Sequence, residues 1–179
     1  METFYPSQNV LDKMKTVTPK KIIVHHSAGT GSQTKESLRD WFLIGRKAEG
    51  YQWIGYHAII YPNGTTFQTR PFNKNGGHCP ENGHNNDIGI CFMGDYTKDS
   101  VTPEAWESFI NLCNSIFSEF GLTQSDIIPH RVAKGGSGTT CPSDQIMKKL
   151  LEPFTTSENP LIKFGTVALV EELLRRLKV

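Results

Sequence analysis

The chain has 179 residues, 37% of them hydrophobic and 21% charged, which is typical of one globular domain with a buried core. Its formal net charge of +1 argues against a nucleic-acid-binding protein, which would carry a strongly basic surface. The sequence has no run of about 18–20 apolar residues, so we expect no membrane insertion.

The first predicted element follows a polar N-terminal segment. Residues 1–20 lack the apolar region of a secretory signal, so we expect no signal peptide. A short buried strand then covers residues 21–26 (KIIVHH), which are apolar until the strand ends in two histidines. After a loop that contains Gly and Ser, Thr34 is suited to cap a helix over residues 35–47.

The middle of the chain predicts a hairpin, a loop and a third strand. Residues 54–61 (IGYHAIIY) predict a strand, and the turn residues PNGT connect it to TFQTR at 66–70. Residues 71–87 contain too much Gly and Asn for a strand and predict a surface loop. Residues 88–94 (IGICFMG) then predict another buried strand.

The clearest predicted element is a helix over residues 103–120. Pro103 follows Thr102 at its start, apolar side chains recur at steps of three and four residues, and Gly121 ends it. Cys113 lies within this apolar stripe, so we expect it to be part of the core.

The end of the chain completes the prediction of fold class and domains. DIIPH at 126–130 predicts an extended segment, and Ser143 is suited to cap a helix that reaches about residue 153. The alternation of strands and helices predicts an α/β fold, a three-layer domain with a central mixed β-sheet flanked by helices. We assign residues 1–154 to this domain. Residues 155–179 would form a linker and a C-terminal helix that either packs on the domain or mediates self-association.

Histidines at strand ends and one cysteine are the candidates for chemistry. His25 and His26 end the first strand, and since side chains alternate along a strand, only one of them can face a given site. His130 ends DIIPH, and Cys141 follows in the loop GGSGTTCPSD. In a chain without a signal, cysteines are expected to be free thiols or metal ligands.

Three interpretations of these residues remain open at this point. Two histidines and one thiolate are the three protein ligands of a catalytic zinc site, which leaves a fourth position for water. A Cys141 thiolate could instead act as a nucleophile, with His25 or His130 as its base. The histidines could also be hydrogen-bonded polar residues without a catalytic role.

Five motifs, taken together and in order, resemble a known family. They are IIVHHSAGT, IGYHAIIYPNGT, GGH at 76–78, DIGICFMGDY and PHRVA…TTCPSD. The chain is similar over about residues 20–153 to the zinc-dependent N-acetylmuramoyl-L-alanine amidases, which include amidase-type phage lysozymes and peptidoglycan recognition proteins. The resemblance implies the same three-layer fold. It also implies one Zn²⁺ per chain, held by His25, His130 and Cys141.

The resemblance implies further roles around that zinc. Tyr56 would be a catalytic residue beside the metal, and Thr139 a catalytic residue that stabilises the oxyanion where some phage enzymes have Lys. His78, in the GxH stretch, would bind substrate. Cys91 stands where some branches carry a catalytic glutamate, and His84 where the family usually shows Asn, which leaves its role unassigned. Strand parity points His26 and His57 away from the site, so we expect both to be structural.

The resemblance also implies an activity and a place of action. The substrate would be bacterial peptidoglycan, cleaved at the amide bond between the lactyl group of N-acetylmuramic acid and L-alanine of the stem peptide. The lack of a signal fits a phage or prophage endolysin that stays in the host cytoplasm until it is released to the cell wall. A recycling amidase would also lack a signal, but that branch usually has Asp as third ligand. The alternative is a non-catalytic peptidoglycan-binding or regulatory module, against which Cys141 and Tyr56 argue.

Overall fold

A mixed β-sheet forms the centre of the fold. The computed structural model describes residues 1–136 and 138–154, and within these ranges the sheet has six strands in the order β1-β4-β3-β5-β2-β6. Neighbouring strands are parallel except for the antiparallel hairpin of β3 and β4. The strands are β1 (Glu2–Thr3), β2 (Ile22–His26), β3 (Ala58–Ile60), β4 (Thr66–Gln68), β5 (Ile88–Phe92) and β6 (Ile127–Pro129).

Helices cover both faces of this sheet. The α-helices are α1 (Gln8–Lys13), α2 (Lys35–Asp40), α3 (Pro103–Phe120), α4 (His130–Ala133) and α5 (Asp144–Leu150). A π-helical turn (Trp41–Gly45) extends α2, and 3₁₀ turns occur at Lys47–Glu49, Glu81–Asn86 and Gln124–Asp126. None of the helices in the described part of the chain is both long enough and apolar enough to span a bilayer.

Strand alternation divides the core between the two faces. Ile88, Ile90 and Phe92 of β5 pack in the cluster that contains α3 residues, whereas Cys91 packs with α2 and the π-helical turn. Helices on both faces of a mixed sheet confirm the predicted three-layer α/β architecture. In β2, Ile22 and Val24 face α3, so His25 emerges on the opposite face.

The α3 helix agrees with its prediction at both ends. The Thr102 hydroxyl accepts the Ala105 N–H at 3.1 Å, and Gly121 ends the helix in the left-handed conformation at φ 68°. Cys113 is fully buried in the core, as expected.

The predictions for residues 35–47 and 71–87 need correction. The first predicted helix changes to π-helical winding at Trp41, and a surface loop does not describe the second segment, since His78 and Cys79 are buried. The Asn85 side-chain oxygen accepts the backbone N–H groups of both residues, each at 2.8 Å. A loop can be buried when side chains satisfy its backbone in this way. The predicted linker and C-terminal helix lie outside the described residues, so the domain boundary at 154 stays a prediction.

His57 is a buried neutral histidine that makes the stability of the fold depend on pH. Its Nδ1 accepts the Gly89 N–H at 2.9 Å, and its Nε2 donates to the Lys74 carbonyl at 2.7 Å. Burial lowers the pKa of His57 to about 3, although the Lys74 bond opposes this shift. Because the unfolded chain titrates near about 6.5, only the unfolded state binds this proton between pH 6.5 and 3.

We therefore expect the free energy of unfolding to fall with pH below 6.5, with His57 contributing about 1.4 kcal/mol per pH unit. His57→Asn should be less stable at pH 7 but should have a shallower pH dependence by that amount. Urea unfolding with chelator present at pH 7, 6 and 5 measures both quantities. Ile59→Val is the control, because it should lower stability equally at each pH. Equal slopes for His57→Asn and the wild type would contradict the assignment.

Candidate metal centre

His25 and His130 meet because the strands that carry them are parallel neighbours. Val24 of β2 is in register with Pro129 of β6, so the next residue of each strand leaves the same edge of the sheet. The two imidazole centroids are 4.4 Å apart. Cys141 reaches the same point from the loop before α5, and its Sγ lies 3.8 Å from His25 Nδ1. The backbone N–H of His26 donates to this sulfur at 3.3 Å.

These three residues form a group with the geometry of a metal site. One ligand atom from each lies within 4.8 Å of the others. Around a tetrahedral zinc, with bonds of about 2.1 Å to nitrogen and 2.3 Å to sulfur, such atoms are about 3.6 Å apart. His130 Nδ1 is also one of four buried side-chain N or O atoms of the described residues that have no hydrogen-bond partner. A cation would satisfy it, so the residues fit a zinc ion.

The protonation of these residues favours metal binding over nucleophilic catalysis. Burial, then the neighbouring His78 and His130, lowers the pKa of His25 well below its usual value, so its imidazole is neutral and can act as a ligand. Burial raises the pKa of the Cys141 thiol to about 12, although the His26 N–H opposes this shift. A neutral thiol is a poor nucleophile, whereas contact with a metal deprotonates it.

A second group of donor atoms shares His130 but fits a metal less well. Cys79, Glu81 and His130 also place one atom each within 4.8 Å of the others. The Cys79 thiol donates to Glu81 at 3.6 Å, and Lys134 pairs with the same carboxylate at 3.6 Å. Since Glu81 already has a cationic partner, we regard the group with Cys141 as the candidate centre.

Tyr56 lies beside the candidate ligands, as the sequence resemblance implies. Its ring centroid is 5.2 Å from that of His25 and 5.7 Å from that of Phe42. Its ring packs against the core cluster that contains Cys91. Burial, together with Cys91 and Cys141, raises the pKa of Tyr56 well above its usual value, so the phenol stays protonated and can donate.

Thr139 and His78 take different positions relative to this group. The Thr139 hydroxyl oxygen accepts the Cys141 N–H at 3.1 Å, which leaves the hydroxyl proton free to donate. His78 is 9% exposed, and its Nδ1 lies 3.0 Å from His25 Nε2 while its Nε2 lies 3.1 Å from the Asp87 carbonyl. Both ring nitrogens lie at hydrogen-bond distance from groups within the protein, so the ring of His78 supports that of His25, and substrate binding by His78 stays a prediction. Sequence reasoning missed this contact.

Comparisons with known proteins place this fold and site in a family. A sequence profile described as N-acetylmuramoyl-L-alanine amidase matches residues 15–144. The chain belongs to this family. Members of the amidase family are generally zinc-dependent, in agreement with the candidate His/Cys metal group.

Proteins similar to this chain include both amidases and recognition proteins. Peptidoglycan-recognition protein SD of Drosophila simulans is 27% identical over 150 residues, which are 79% of this chain and 76% of that protein. The solved N-acetylmuramoyl-L-alanine amidase LysC of Clostridium intestinale is 25% identical, with a TM-score of 0.65 over 84% of this chain and 95% of LysC. The Ph2119 endolysin from a Thermus scotoductus bacteriophage, at 22% identity, has a TM-score of 0.66 over 83% of this chain and 96% of the endolysin, and shows a similar fold.

Proposed function

We propose that this chain is a zinc-dependent amidase that cleaves peptidoglycan between the lactyl group of N-acetylmuramic acid and L-alanine of the stem peptide. The observation that carries this proposal is the convergence of His25, His130 and Cys141 with Tyr56 beside them. A module that only binds peptidoglycan needs neither three metal-binding side chains nor a partly buried phenol next to them.

The mechanism assigns each role to a residue of this site. His25, His130 and Cys141 would hold the zinc, which would polarise a carbonyl as a Lewis acid and activate a water molecule at neutral pH. Tyr56 and Thr139 donate hydrogen bonds to the carbonyl oxygen of the lactyl group. This oxygen becomes negative as the amide carbon turns tetrahedral. Some phage enzymes have a charged Lys where this chain has Thr139. Here both donors are neutral hydroxyl groups, which stabilise the negative charge through hydrogen bonds alone. Cys91 supplies no carboxylate base from β5, and its buried side chain belongs to the core cluster against which Tyr56 packs.

A cavity beside the candidate centre suits the sugar part of the substrate. It has a volume of about 510 Å³, it is lined by Tyr56, Trp41 and hydroxyl residues such as Ser27, and its described lining has no charged side chain. The sugar rings of peptidoglycan are neutral, so this lining can bind them through hydroxyl and aromatic groups. Two further cavities, of about 460 and 810 Å³, include none of the six site residues and have no part in this proposal.

We also propose that the enzyme acts as a phage or prophage endolysin that accumulates in the host cytoplasm before release to the wall. Similarity to the endolysin amidase LysCS of Clostridium intestinale, at 25% identity, supports this role. The second candidate is a peptidoglycan-binding module without catalysis, which similarity to peptidoglycan-recognition proteins supports.

Product analysis of digested cell walls tests the activity. Zinc-loaded protein should release stem peptides that begin at L-alanine, and chelator-treated protein should release none until zinc is restored. Mass spectrometry identifies these products. New reducing sugar ends would instead indicate a glycosidase. Tight wall binding without products from several wall types would favour the binding module.

A further inference from the structure

We propose that His78 is a positioning residue that selects the tautomer of His25 and thereby leaves His25 Nδ1 free to bind a metal. This inference rests on the proposed metal centre, but it concerns a residue that is not one of the three proposed ligands. A chain of two hydrogen bonds, from His25 through His78 to the Asp87 carbonyl, carries the argument.

The acceptor at the end of this series of hydrogen bonds determines the direction in which each bond is donated. The Asp87 carbonyl can only accept, so His78 Nε2, which lies 3.1 Å from it, carries the proton. A neutral imidazole has one N–H, and burial favours the neutral form, so His78 Nδ1 is an acceptor. His25 Nε2, 3.0 Å from that Nδ1, therefore donates. The remaining nitrogen, His25 Nδ1, keeps its lone pair and lies 3.8 Å from Cys141 Sγ.

The side chain of Asp87 fixes the position of the Asp87 carbonyl, the last acceptor in the series of hydrogen bonds. Its Oδ1 accepts the backbone N–H groups of Lys20 and Lys21 at 2.8 and 3.0 Å. Its Oδ2 lies 2.8 Å from His84 Nδ1. The two bonds to Oδ1, which do not involve His84, tie the Asp87 main chain to the segment that enters β2, the strand that carries His25. Acceptor and ligand are therefore held by the same part of the fold.

Two glycines make room for the His78 ring. A Cβ atom at Gly89 would lie 2.4 Å from His78 Cδ2, and a Cβ at Gly76 would lie 2.5 Å from the same atom. Distances below 3.0 Å force a shift, so the ring fits only because both positions are glycine. The Asn85 oxygen also accepts the His78 backbone N–H at 2.8 Å. Ring and backbone are thus both constrained in the orientation that the two hydrogen bonds require.

The expected effect of this arrangement is on metal affinity. Without an acceptor at Nε2, His25 would divide between two tautomers, and in one of them Nδ1 carries a proton and cannot bind a metal. Partners that orient a ligating histidine typically contribute about 10- to 100-fold in metal affinity. His78→Leu removes the acceptor, whereas His78→Asn can offer its Oδ1 near the position of Nδ1. His84→Ala is the matched control on the same loop, because it leaves both bonds of His78 in place.

Two measurements on the full-length chain test the proposal without using activity. Long-range ¹H–¹⁵N NMR of the histidine rings should show wild-type His25 protonated at Nε2, both without metal and with zinc. Competition with a chromophoric chelator should show zinc binding about 10- to 100-fold weaker in His78→Leu, with recovery in His78→Asn and no change in His84→Ala.

The outcomes separate this proposal from the proposed activity. Wild-type His25 protonated at Nδ1 in the metal-free protein would overturn the tautomer assignment, and this readout needs no variant to fold. Native zinc affinity in a folded His78→Leu protein would overturn the positioning role. A protein that shows both expected results but releases no stem peptide would refute the amidase activity and leave the role of His78 intact.

Discussion

Replacing Cys141 with alanine is expected to abolish tight zinc binding and, with it, amidase activity. Zinc sites bind with apparent free energies of about 10–16 kcal/mol, so one of four ligands contributes roughly 3 kcal/mol, or about 100-fold in affinity. The remaining His25 and His130 would hold zinc through two neutral imidazoles without an anionic ligand. Metal content after dialysis and zinc affinity from chelator competition measure the loss, and stem-peptide release measures activity.

Cys113→Ala provides the matched control for this experiment. Cys113 is fully buried in α3 and packs in the core cluster on the other face of the sheet. The same substitution there should lower the free energy of unfolding but leave zinc affinity and activity unchanged. Full zinc retention in Cys141→Ala would show that the sulfur is not a ligand. Zinc loss in both variants would indicate that destabilisation, not ligand removal, is being measured.

The sequence predicted the elements whose signals are local. The α3 helix was bounded by Thr102, Pro103 and Gly121, residues whose effects reach only one turn. His25 and His130 were candidates because each ends a short extended segment, but only the family resemblance joined them, since the parallel pairing of β2 and β6 is visible in the structure alone. Strand parity further separated His25 from His26 and His57, which make structural hydrogen bonds.

The position of His78 could not be predicted, because it depends on contacts between distant segments. Its ring lies between Gly76 and Gly89, and its acceptor is the backbone of Asp87, in a segment whose Gly and Asn content indicates only a loop. Asn85, a residue typical of turns, here satisfies buried backbone groups. The same composition therefore describes a mobile surface loop and a buried support for a metal ligand. Only the tertiary packing distinguishes them.

The π-helical turn after α2 is a second feature that the sequence pattern did not predict. The apolar pattern of residues 35–47 predicts a continuous helix, but the backbone is rewound from Trp41 to Gly45. This turn buries Phe42, whose ring makes an edge contact with Tyr56 at 5.7 Å between centroids. The helix propensity of residues 35–47 does not predict this rewinding, because the contact of Phe42 depends on the position of Tyr56 in another segment.

The Tyr56→Phe variant is expected to keep its zinc and to lose about 100- to 1000-fold in kcat, the usual effect of removing one donor to an oxyanion. The ring contacts with His25 and Phe42 do not involve the hydroxyl, so the metal ligand and the local packing should be preserved. Zinc affinity, measured beside the rate of stem-peptide release, separates loss of a donor from loss of the metal.

Tyr61→Phe is the matched control, because the Tyr61 hydroxyl is also buried but has no hydrogen-bond partner among the described residues. Removing an unsatisfied hydroxyl should leave stability and kcat close to those of the wild type. An unchanged kcat in Tyr56→Phe would exclude its hydroxyl from the mechanism, and loss of zinc would mean that Tyr56 acts by holding His25.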